Sequence, residues 1–324
     1  MSTTGQLTAL RASLDAVADP RPALAAPLPA ASVFVGSGDS LSSAMLATAY
    51  GHRAVSAGDI TWTGTVPAGA RAVVGISHSG TSGATVRALR IARDRGLRTV
   101  AITSNPDSPL ATEAAELQPV PSLEVAEQIP VSGHLMLGLG VAAVTGQDTI
   151  AATSALAQAL DGLDTAVDEA AGTLPIDAPQ AVSVLTLPDL RGTGDFFMLK
   201  LIEATGVAVR TVPLEESGHV DYFIGPQPHL ALQLVGGVGR QRFDRLRAAL
   251  EHTGQTVLQI QIGAETTLSG RDQLLREYTG AVFGSLFAAA AARRWARSPF
   301  RGGAVNMDAS HIKLDGTPAA TPDR

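Results

Sequence analysis

The strongest constraint on the fold is a segment of the sequence that occurs twice with the same spacing of features. Residues 73–102 align without gaps to residues 231–260. Each copy contains an apolar run, a loop with glycine, a helix-length amphipathic stretch and, after another glycine, a second apolar run. Strands that alternate with helices in this way form βαβ units in a parallel sheet. The repeat therefore predicts two parallel sheets, one in each half of the chain.

A second pair of segments extends the similarity between the halves. Residues 35–39 read Val-Gly-Ser-Gly-Asp, and residues 191–195 read Arg-Gly-Thr-Gly-Asp. Each follows a strand-like run, so both are predicted to form turns between a strand and a helix. The predicted fold class is α/β, with two tandem doubly wound, flavodoxin-like domains. Prolines near residue 175 interrupt a helical pattern and divide the chain into predicted domains of residues 1–175 and 176–324.

Residues 77–82, which read Ser-His-Ser-Gly-Thr-Ser, lie where the first buried strand gives way to a helix. Unpaired backbone N–H groups, the positive end of the helix dipole and hydroxyl donors all favour an anion at such a junction. The second copy has Val-Gly-Gly-Val at residues 235–238 and lacks the hydroxyls. The sequence thus predicts one bound phosphate per chain. The alternative is that the serines only cap the helix.

The composition excludes several classes of protein. The net charge of −6 does not suit a nucleic-acid-binding or membrane surface. No cysteine is present, which excludes disulfides, thiolate metal sites and cysteine nucleophiles. The histidines are scattered, and no cluster has the spacing of metal ligands. Without a signal-peptide pattern or a membrane-length apolar segment, the expectation is a cytoplasmic protein that needs no metal or cofactor.

With these motifs, the chain resembles the sugar isomerase (SIS) family over residues 30–300, more weakly in the second half. The match is best to two-domain members built like the isomerase half of glucosamine-6-phosphate synthase. The motif at residues 77–82 resembles the family's Ser-Gln-Ser-Gly-Glu-Thr, which binds the substrate phosphate. The resemblance implies the following ligands of the phosphate and the sugar: Ser40, Ser77, His78, Ser79, Ser82, Glu127 and Ser132.

The resemblance also implies catalytic residues in the second half. Residues 199–203 resemble the family's Leu-Lys-x-x-Glu stretch, and His219 follows Glu203 at the family's spacing. In that family the glutamate moves a proton between C1 and C2 of the sugar, and the histidine, often from a neighbouring subunit, helps to open the ring. Lys313 is the candidate for a lysine in the family's C-terminal segment. A homodimer is expected, and a solvated Glu203 paired with Lys200 is the structural alternative.

The functional prediction is a sugar-phosphate isomerase that uses enediol proton transfer and does not depend on glutamine, because the catalytic cysteine for ammonia release is missing. Two alternatives remain open: a deaminase or aminating enzyme that uses free ammonia, and a non-catalytic sensor of sugar phosphates. Two departures from the family motif stand out, namely His78 for glutamine and Thr81 for glutamate. The histidine predicts that phosphate affinity rises as the pH falls below about 7.

Overall fold

The computed structural model of the chain describes residues 2–16, 23–236, 239–263 and 270–296. The strands in these ranges, in chain order, are β1 (Val33–Gly36), β2 (Arg53–Ser56), β3 (Ala72–Ile76), β4 (Arg98–Thr103), β5 (Glu116–Pro119), β6 (Ala181–Thr186), β7 (Ala208–Pro213), β8 (His229–Val235) and β9 (Thr256–Gln261). The α-helices are α1 (Thr3–Asp15), α2 (Asp39–Met45), α3 (Ala57–Thr63), α4 (Gly83–Asp94), α5 (Pro109–Glu113), α6 (Ser132–Val144), α7 (Thr149–Ala159), α8 (Leu163–Gly172), α9 (Arg191–Thr205), α10 (Ser217–Val220), α11 (Arg240–His252) and α12 (Gly270–Arg294).

The strands form two sheets in which every pairing is parallel. The first sheet has the order β2-β1-β3-β4-β5, and the second has the order β7-β6-β8-β9. In both sheets the chain starts in the middle, adds a strand on one side and then crosses to the other side. The predicted α/β class with two parallel sheets is confirmed.

The strand register confirms the alignment of residues 73–102 with residues 231–260. Val73 of β3 pairs with Thr99 of β4, and their aligned counterparts Ala231 and Val257 pair in β8 and β9. The helices α4 and α11 connect the two strands of each pair. The two halves therefore repeat the same βαβ unit in the same register.

The predicted second turn at residues 191–195 is wrong. These residues form the start of α9, while β6 already ends at Thr186 and a 3₁₀ turn at Pro188–Leu190 makes the connection. Gly194 serves close packing instead. A Cβ on Gly194 would lie 2.6 Å from the methyl group of Thr186. The similarity of the two glycine motifs therefore does not reflect the same local structure.

The described residues divide into two compact units. The five-stranded unit comprises residues 16, 23–124 and 132–153, and the four-stranded unit comprises the described parts of residues 2–15, 125–131 and 154–296. These units differ from a division at residue 175, because α8 belongs with α1 and α12. The hydroxyl of Thr3 on α1, for example, donates to Asp168 of α8 at 3.4 Å. The assignment of sugar isomerase domains to residues 1–175 and 176–324 stays a prediction.

The core of the five-stranded unit lies between its sheet and the apolar face of α4. Every residue of β3 is buried, which is typical of a central parallel strand covered on both faces. Val86 and Leu89 of α4 are at most 1% exposed and pack in the cluster that contains Val33 and Val73. Because α4 is held this firmly, the loop that precedes it has a fixed end.

Helix α6 packs so closely on the other face of this sheet that only glycine fits at one position. All but one of its 13 residues are buried. A Cβ on Gly140 would lie 2.6 Å from side-chain carbons of Ile102 and Val120. Despite such apolar helices, no helix in the described ranges is long and apolar enough to span a membrane.

In the four-stranded unit, α9 and α12 pack through aromatic rings. The ring centroids of Phe197 and Phe283 are 6.2 Å apart, and those of Phe197 and Phe287 are 6.5 Å apart. Gly284 leaves room for the Phe197 ring, which would lie 2.8 Å from an added Cβ. This contact fixes the helix that carries Glu203 to the long C-terminal helix of the described chain.

We expect the substitution Gly140→Ala to lower the free energy of unfolding by about 1–3 kcal/mol, because the new methyl group meets stiff β-branched side chains in a closely packed core. Gly172→Ala is the matched control, since a Cβ there meets no atom within 4 Å. That variant should stay within about 1 kcal/mol of the wild type, on the stabilising side. Denaturant unfolding measures both, and equal stability of the two variants would contradict the packing argument.

Candidate functional site

The candidate site lies at the carboxyl edge of the five-stranded sheet, between β1 and β3. In the order β2-β1-β3 the chain direction across the sheet reverses at this point. Ligands of open α/β sheets bind beyond the carboxyl ends of strands at such a switch point. Residues 77–82 follow β3, and the loop with Ser37 and Gly38 follows β1. The topology thus brings the two predicted loops to one edge.

Hydrogen bonds from β4 fix the path of the loop at residues 77–82. The N–H of buried Ser77 donates to the carbonyl of Ile102 at 3.1 Å. The carbonyl oxygen of His78 accepts from the hydroxyls of Thr103 (3.0 Å) and Ser104 (2.8 Å), and from the backbone N–H of Ser104 (3.1 Å). This carbonyl points to the strand end, so the loop cannot rotate without breaking three hydrogen bonds.

Gly80 is required in this loop for two independent reasons. Its φ of 69° lies in the left-handed region, which other residues rarely adopt. A Cβ would also lie 2.0 Å from the Ser108 hydroxyl oxygen. The carbonyl of Gly80 accepts from the N–H of Leu110 at 3.0 Å, which ties the loop to α5. The glycine allows the backbone to turn tightly at the N-terminus of α4.

The hydroxyls of the loop do not cap α4. Ser82 occupies the N-cap position without a side-chain hydrogen bond to the helix backbone, and its oxygen accepts from the Thr85 hydroxyl at 3.1 Å instead. Exposed Ser79 and half-buried Thr81 share a hydrogen bond of 2.9 Å between their hydroxyls. By contrast, Ser108 does cap its helix. The capping alternative therefore does not account for Ser79 and Ser82, and the helix N-terminus keeps its hydroxyls available to an anion.

The imidazole of His78 is half-buried against the first turn of α6. A Cβ on Gly133 would lie 3.0 Å from the ring, so glycine makes room for it. Burial lowers the pKa of His78 below its usual value of 6.5. The positive end of the α6 dipole acts in the same direction, because it disfavours a second positive charge. The imidazole of His78 is therefore neutral near pH 7.

Ser40 lies on the first turn of α2, next to the loop that follows β1. Its N–H donates to the Ser37 carbonyl at 3.2 Å, and its side chain is half-buried. Helix α2 is held to α6 by a buried hydrogen bond of 2.9 Å between the Ser43 hydroxyl and Nδ1 of His134. A structural role accounts for His134, while Ser40 stays at the edge that the topology assigns to the ligand.

Ser132 and Glu127 have different surroundings. Ser132 is the first residue of α6 and is buried beside Gly133, which contacts the His78 ring. Glu127 lies in the segment that belongs to the four-stranded unit, and its carboxylate accepts from the N–H of Val131 at 3.0 Å. This local bond gives Glu127 a structural role in the turn before α6.

Glu203 is paired with a buried lysine on its own helix. The ammonium of Lys200 is 2.7 Å from the Glu203 carboxylate, and the side chains are 1% and 38% exposed, respectively. The same ammonium lies 5.0 Å from the centre of the Phe196 ring. The pairing that the sequence offered as a structural alternative is thus present. A carboxylate held in this way is fixed in position and still accessible.

His219 lies on the four-residue helix α10 and is exposed. Within the described ranges, its side chain has no hydrogen-bond partner, and none joins it to Glu203. Lys313 falls outside the described residues. The structure therefore brings Ser40, Ser77, His78, Ser79 and Ser82 to one sheet edge, with Ser132 beside them.

Sequence reasoning missed the residues that shape the loop from outside. Thr103 and Ser104 hold the His78 carbonyl, and Ser108 fills the space beside Gly80. Their signal was three hydroxyl residues, Thr103, Ser104 and Ser108, at and after the end of the second strand of the repeat. No sequence signal indicates that Gly133 accommodates the His78 ring, because the two positions are far apart in the chain.

A family model matches the part of the chain that contains the loop. Residues 33–133 match the SIS domain, a span that runs from β1 to the first turn of α6 and includes the whole loop. A curated relative, the N-acetylmuramic acid 6-phosphate etherase of Bacteroides thetaiotaomicron, is 55% identical over 42 residues. These cover 13% of this chain and 15% of that protein, so the match is local.

Solved structures resemble the chain over most of its length. Glucosamine-6-phosphate deaminase from Thermotoga maritima has a TM-score of 0.68 at 19% identity and covers 92% of this chain and 96% of its own. The C-terminal domain of glucosamine-fructose-6-phosphate aminotransferase from Francisella tularensis has a TM-score of 0.68 at 15% sequence identity, and it covers 92% of this chain and 96% of its own. Tagatose-6-phosphate ketose/aldose isomerase from Escherichia coli has a TM-score of 0.65 at 16% identity, and it covers 91% of this chain and 89% of its own. At these identities the likeness establishes the fold.

We expect the affinity for inorganic phosphate to rise as the pH falls, because bound phosphate favours the imidazolium form of His78 that burial disfavours. Since burial lowers the pKa of His78 without phosphate below its usual 6.5, the affinity should keep rising below pH 6.5. Calorimetric titration at several pH values measures the effect. His78→Gln is the control, because phosphate itself titrates near pH 6 in both proteins. An identical pH dependence in the variant would remove His78 from the explanation.

Proposed function

We propose that the chain binds a sugar phosphate with residues 77–82 and interconverts its aldose and ketose forms. The observation that carries the proposal is the loop itself, whose hydroxyls stand at the N-terminus of α4 without capping it. Phosphate binding far from the reacting carbons would hold a flexible open-chain sugar in one position. The match of this region to the SIS domain supports the same substrate class.

In this proposal the carboxylate of Glu203 is the base. It takes the proton from C2 of the open-chain aldose and returns it to C1 of the enediol, while the hydroxyl proton of C2 passes to the oxygen on C1. The buried ammonium of Lys200 supports the role, because it fixes the carboxylate without enclosing it. A base must stay in reach of both carbons, and a held carboxylate loses less freedom in doing so.

We assign ring opening to His219 and propose that it acts across a homodimer. The His219 side chain is exposed and has no hydrogen-bond partner among the described residues, as expected for a group that acts on substrate bound by a neighbouring subunit. Tyr222 and Phe223, which follow on the same segment, are 44% and 74% exposed and contact each other edge to face. Exposed aromatic rings of this kind are enriched at interfaces. Lys313 remains a proposed ligand of the sugar.

A second candidate function is binding without catalysis, as in a sensor of sugar phosphates. The observation that favours it is that the Glu203 carboxylate already has an ionic partner in Lys200. The phosphate loop would be the same in both functions. Only the chemistry at C1 and C2 distinguishes them.

The test is solvent exchange in heavy water with four separate substrates: fructose-6-phosphate, glucose-6-phosphate, mannose-6-phosphate and glucosamine-6-phosphate. The last tests the amino-sugar alternative as well. We expect deuterium at C1 or C2 of at least one of them, detected by NMR. Glu203→Gln should reduce the exchange by about 10²-fold or more, because it removes the base. It should leave the phosphate affinity close to that of the wild type.

The control is Glu251→Gln, which neutralises an exposed carboxylate on α11 and should leave the exchange unchanged. Full exchange in the Glu203 variant would discard the mechanism. Thermal stabilisation of the wild type by these ligands without any exchange would favour the binding function instead.

A further inference from the structure

A cavity of about 310 Å³ lies at the amino edge of the second sheet, within the four-stranded unit. Its lining includes Ala181 at the start of β6, Ala208 at the start of β7 and His229 at the start of β8. The register pairs Ala181 with both of the others, so two alanines stand side by side where larger side chains would fill the space. Cavities of about 300–1,000 Å³ hold small-molecule ligands. Open α/β sheets bind their usual ligands at the opposite, carboxyl edge, so the fold alone does not explain this cavity.

The guanidinium of Arg210 lies in the lining of this cavity and is held along one of its edges. Its Nε donates to the hydroxyl of Ser183 at 3.0 Å, and its Nη2 donates to Oδ1 of Asp221 at 2.8 Å. The Ser183 hydroxyl itself donates to the same carboxylate oxygen at 2.5 Å. The side chain of Asp221 is 0% exposed, whereas that of Arg210 is 45% exposed. The arginine is therefore fixed at its Nε side by buried groups and reaches the surface at its other end.

The second edge of the guanidinium, between Nη1 and Nη2, has no partner among the residues that the structure describes. A guanidinium carries five N–H donors, and the two bonds to Ser183 and Asp221 use two of them. The remaining edge presents two parallel N–H groups, which is the arrangement that binds a carboxylate bidentately. Because the side chain is already fixed by its buried partners, a ligand at this edge costs little side-chain entropy.

The charges and the walls of the cavity restrict the class of ligand. Asp221 offsets the charge of Arg210, so a monoanion suits the site better than the dianion of a phosphate. Burial lowers the pKa of His229, so its ring adds no second positive charge near pH 7. Ile224 and Pro228 contribute apolar surface to the lining. These features indicate a carboxylate attached to a small apolar body.

We propose that Arg210 and this cavity form a binding site for a small monocarboxylate. The carboxylate takes the second edge of the guanidinium, and the apolar part of the ligand lies against Ala181, Ala208 and Ile224. The site uses neither the loop at residues 77–82 nor the proposed catalytic residues. It therefore does not depend on whether the chain is an isomerase.

The test is a titration of the full chain with benzoate, followed by ligand-observed NMR. Benzoate carries a monoanionic carboxylate on an apolar ring. We expect saturable binding with a dissociation constant of about 1 mM. Benzamide has the same shape without the charge and should bind about 10-fold more weakly or worse. Equal binding of benzoate and benzamide overturns the proposal, as does the absence of saturable benzoate binding to the wild type.

The variant Arg210→Lys keeps a positive charge beside Asp221 but loses the planar pair of donors, so the affinity for benzoate should fall about 10-fold or more. Arg11→Lys is the matched control. Arg11 pairs with Asp161 at 2.6 Å and is 46% exposed, but it does not line the cavity, so this variant should bind benzoate like the wild type. Wild-type affinity in Arg210→Lys overturns the proposal.

A competition experiment separates this site from the loop at residues 77–82. Inorganic phosphate, the proposed ligand class of the loop, should not displace benzoate from the wild type. Displacement by phosphate would assign the bound benzoate to the loop and overturn the proposal.

If Arg210→Lys does not fold, Ala208→Phe tests the cavity without touching the buried partners of the arginine. Ala208 lies two residues before Arg210 on β7 and hence on the same face of the strand. It is exposed, so a phenylalanine ring can enter the cavity without displacing core side chains. The affinity for benzoate should again fall about 10-fold or more, because the ring fills the space that the ligand needs. Wild-type affinity in this variant also overturns the proposal.

Discussion

The parallel pairing of β3 with β4 determines both the position and the shape of the candidate site. Because the strands run in the same direction, the residues that follow them meet at one edge, where Thr103 and Ser104 bind the carbonyl of His78. That carbonyl is turned toward the sheet, and Gly80 completes the turn with its positive φ. Because the pairing of β3 with β4 fixes the loop in this way, the hydroxyls of Ser79 and Ser82 lie at the start of α4.

The same pairing in the second sheet leads to a different chemical result. β8 and β9 repeat the register of β3 and β4, yet the loop between β8 and α11 carries glycine and valine where the first carries hydroxyls. At this second edge the buried guanidinium of Arg276 pairs with the carboxylate of Asp189 at 2.7 Å. The backbone geometry is thus repeated in the two halves, while the side chains at the sheet edge differ.

The sequence predicted what depends on local pattern and failed where distant residues decide. The alignment of residues 73–102 with 231–260 worked because apolar strands and glycine-ended helices leave a regular pattern. The glycines at 192 and 194 led to the wrong prediction of a turn, because glycine is found both in turns and where elements pack closely. The contact of His78 with Gly133 depends on how α6 packs on the sheet, and no spacing along the chain encodes it.

The same distinction explains why the candidate phosphate loop is better defined than the proposed catalytic pair. A binding loop of consecutive residues is positioned by the end of one strand and the start of one helix. Glu203 and His219 are separated by the whole of β7, so their spacing in sequence leaves their distance undetermined. Glu203 is placed by Lys200 on its own helix, whereas His219 on its short exposed helix is placed by nothing that the described residues provide. In the proposed function, the second chain of a homodimer is what would fix the His219 side chain.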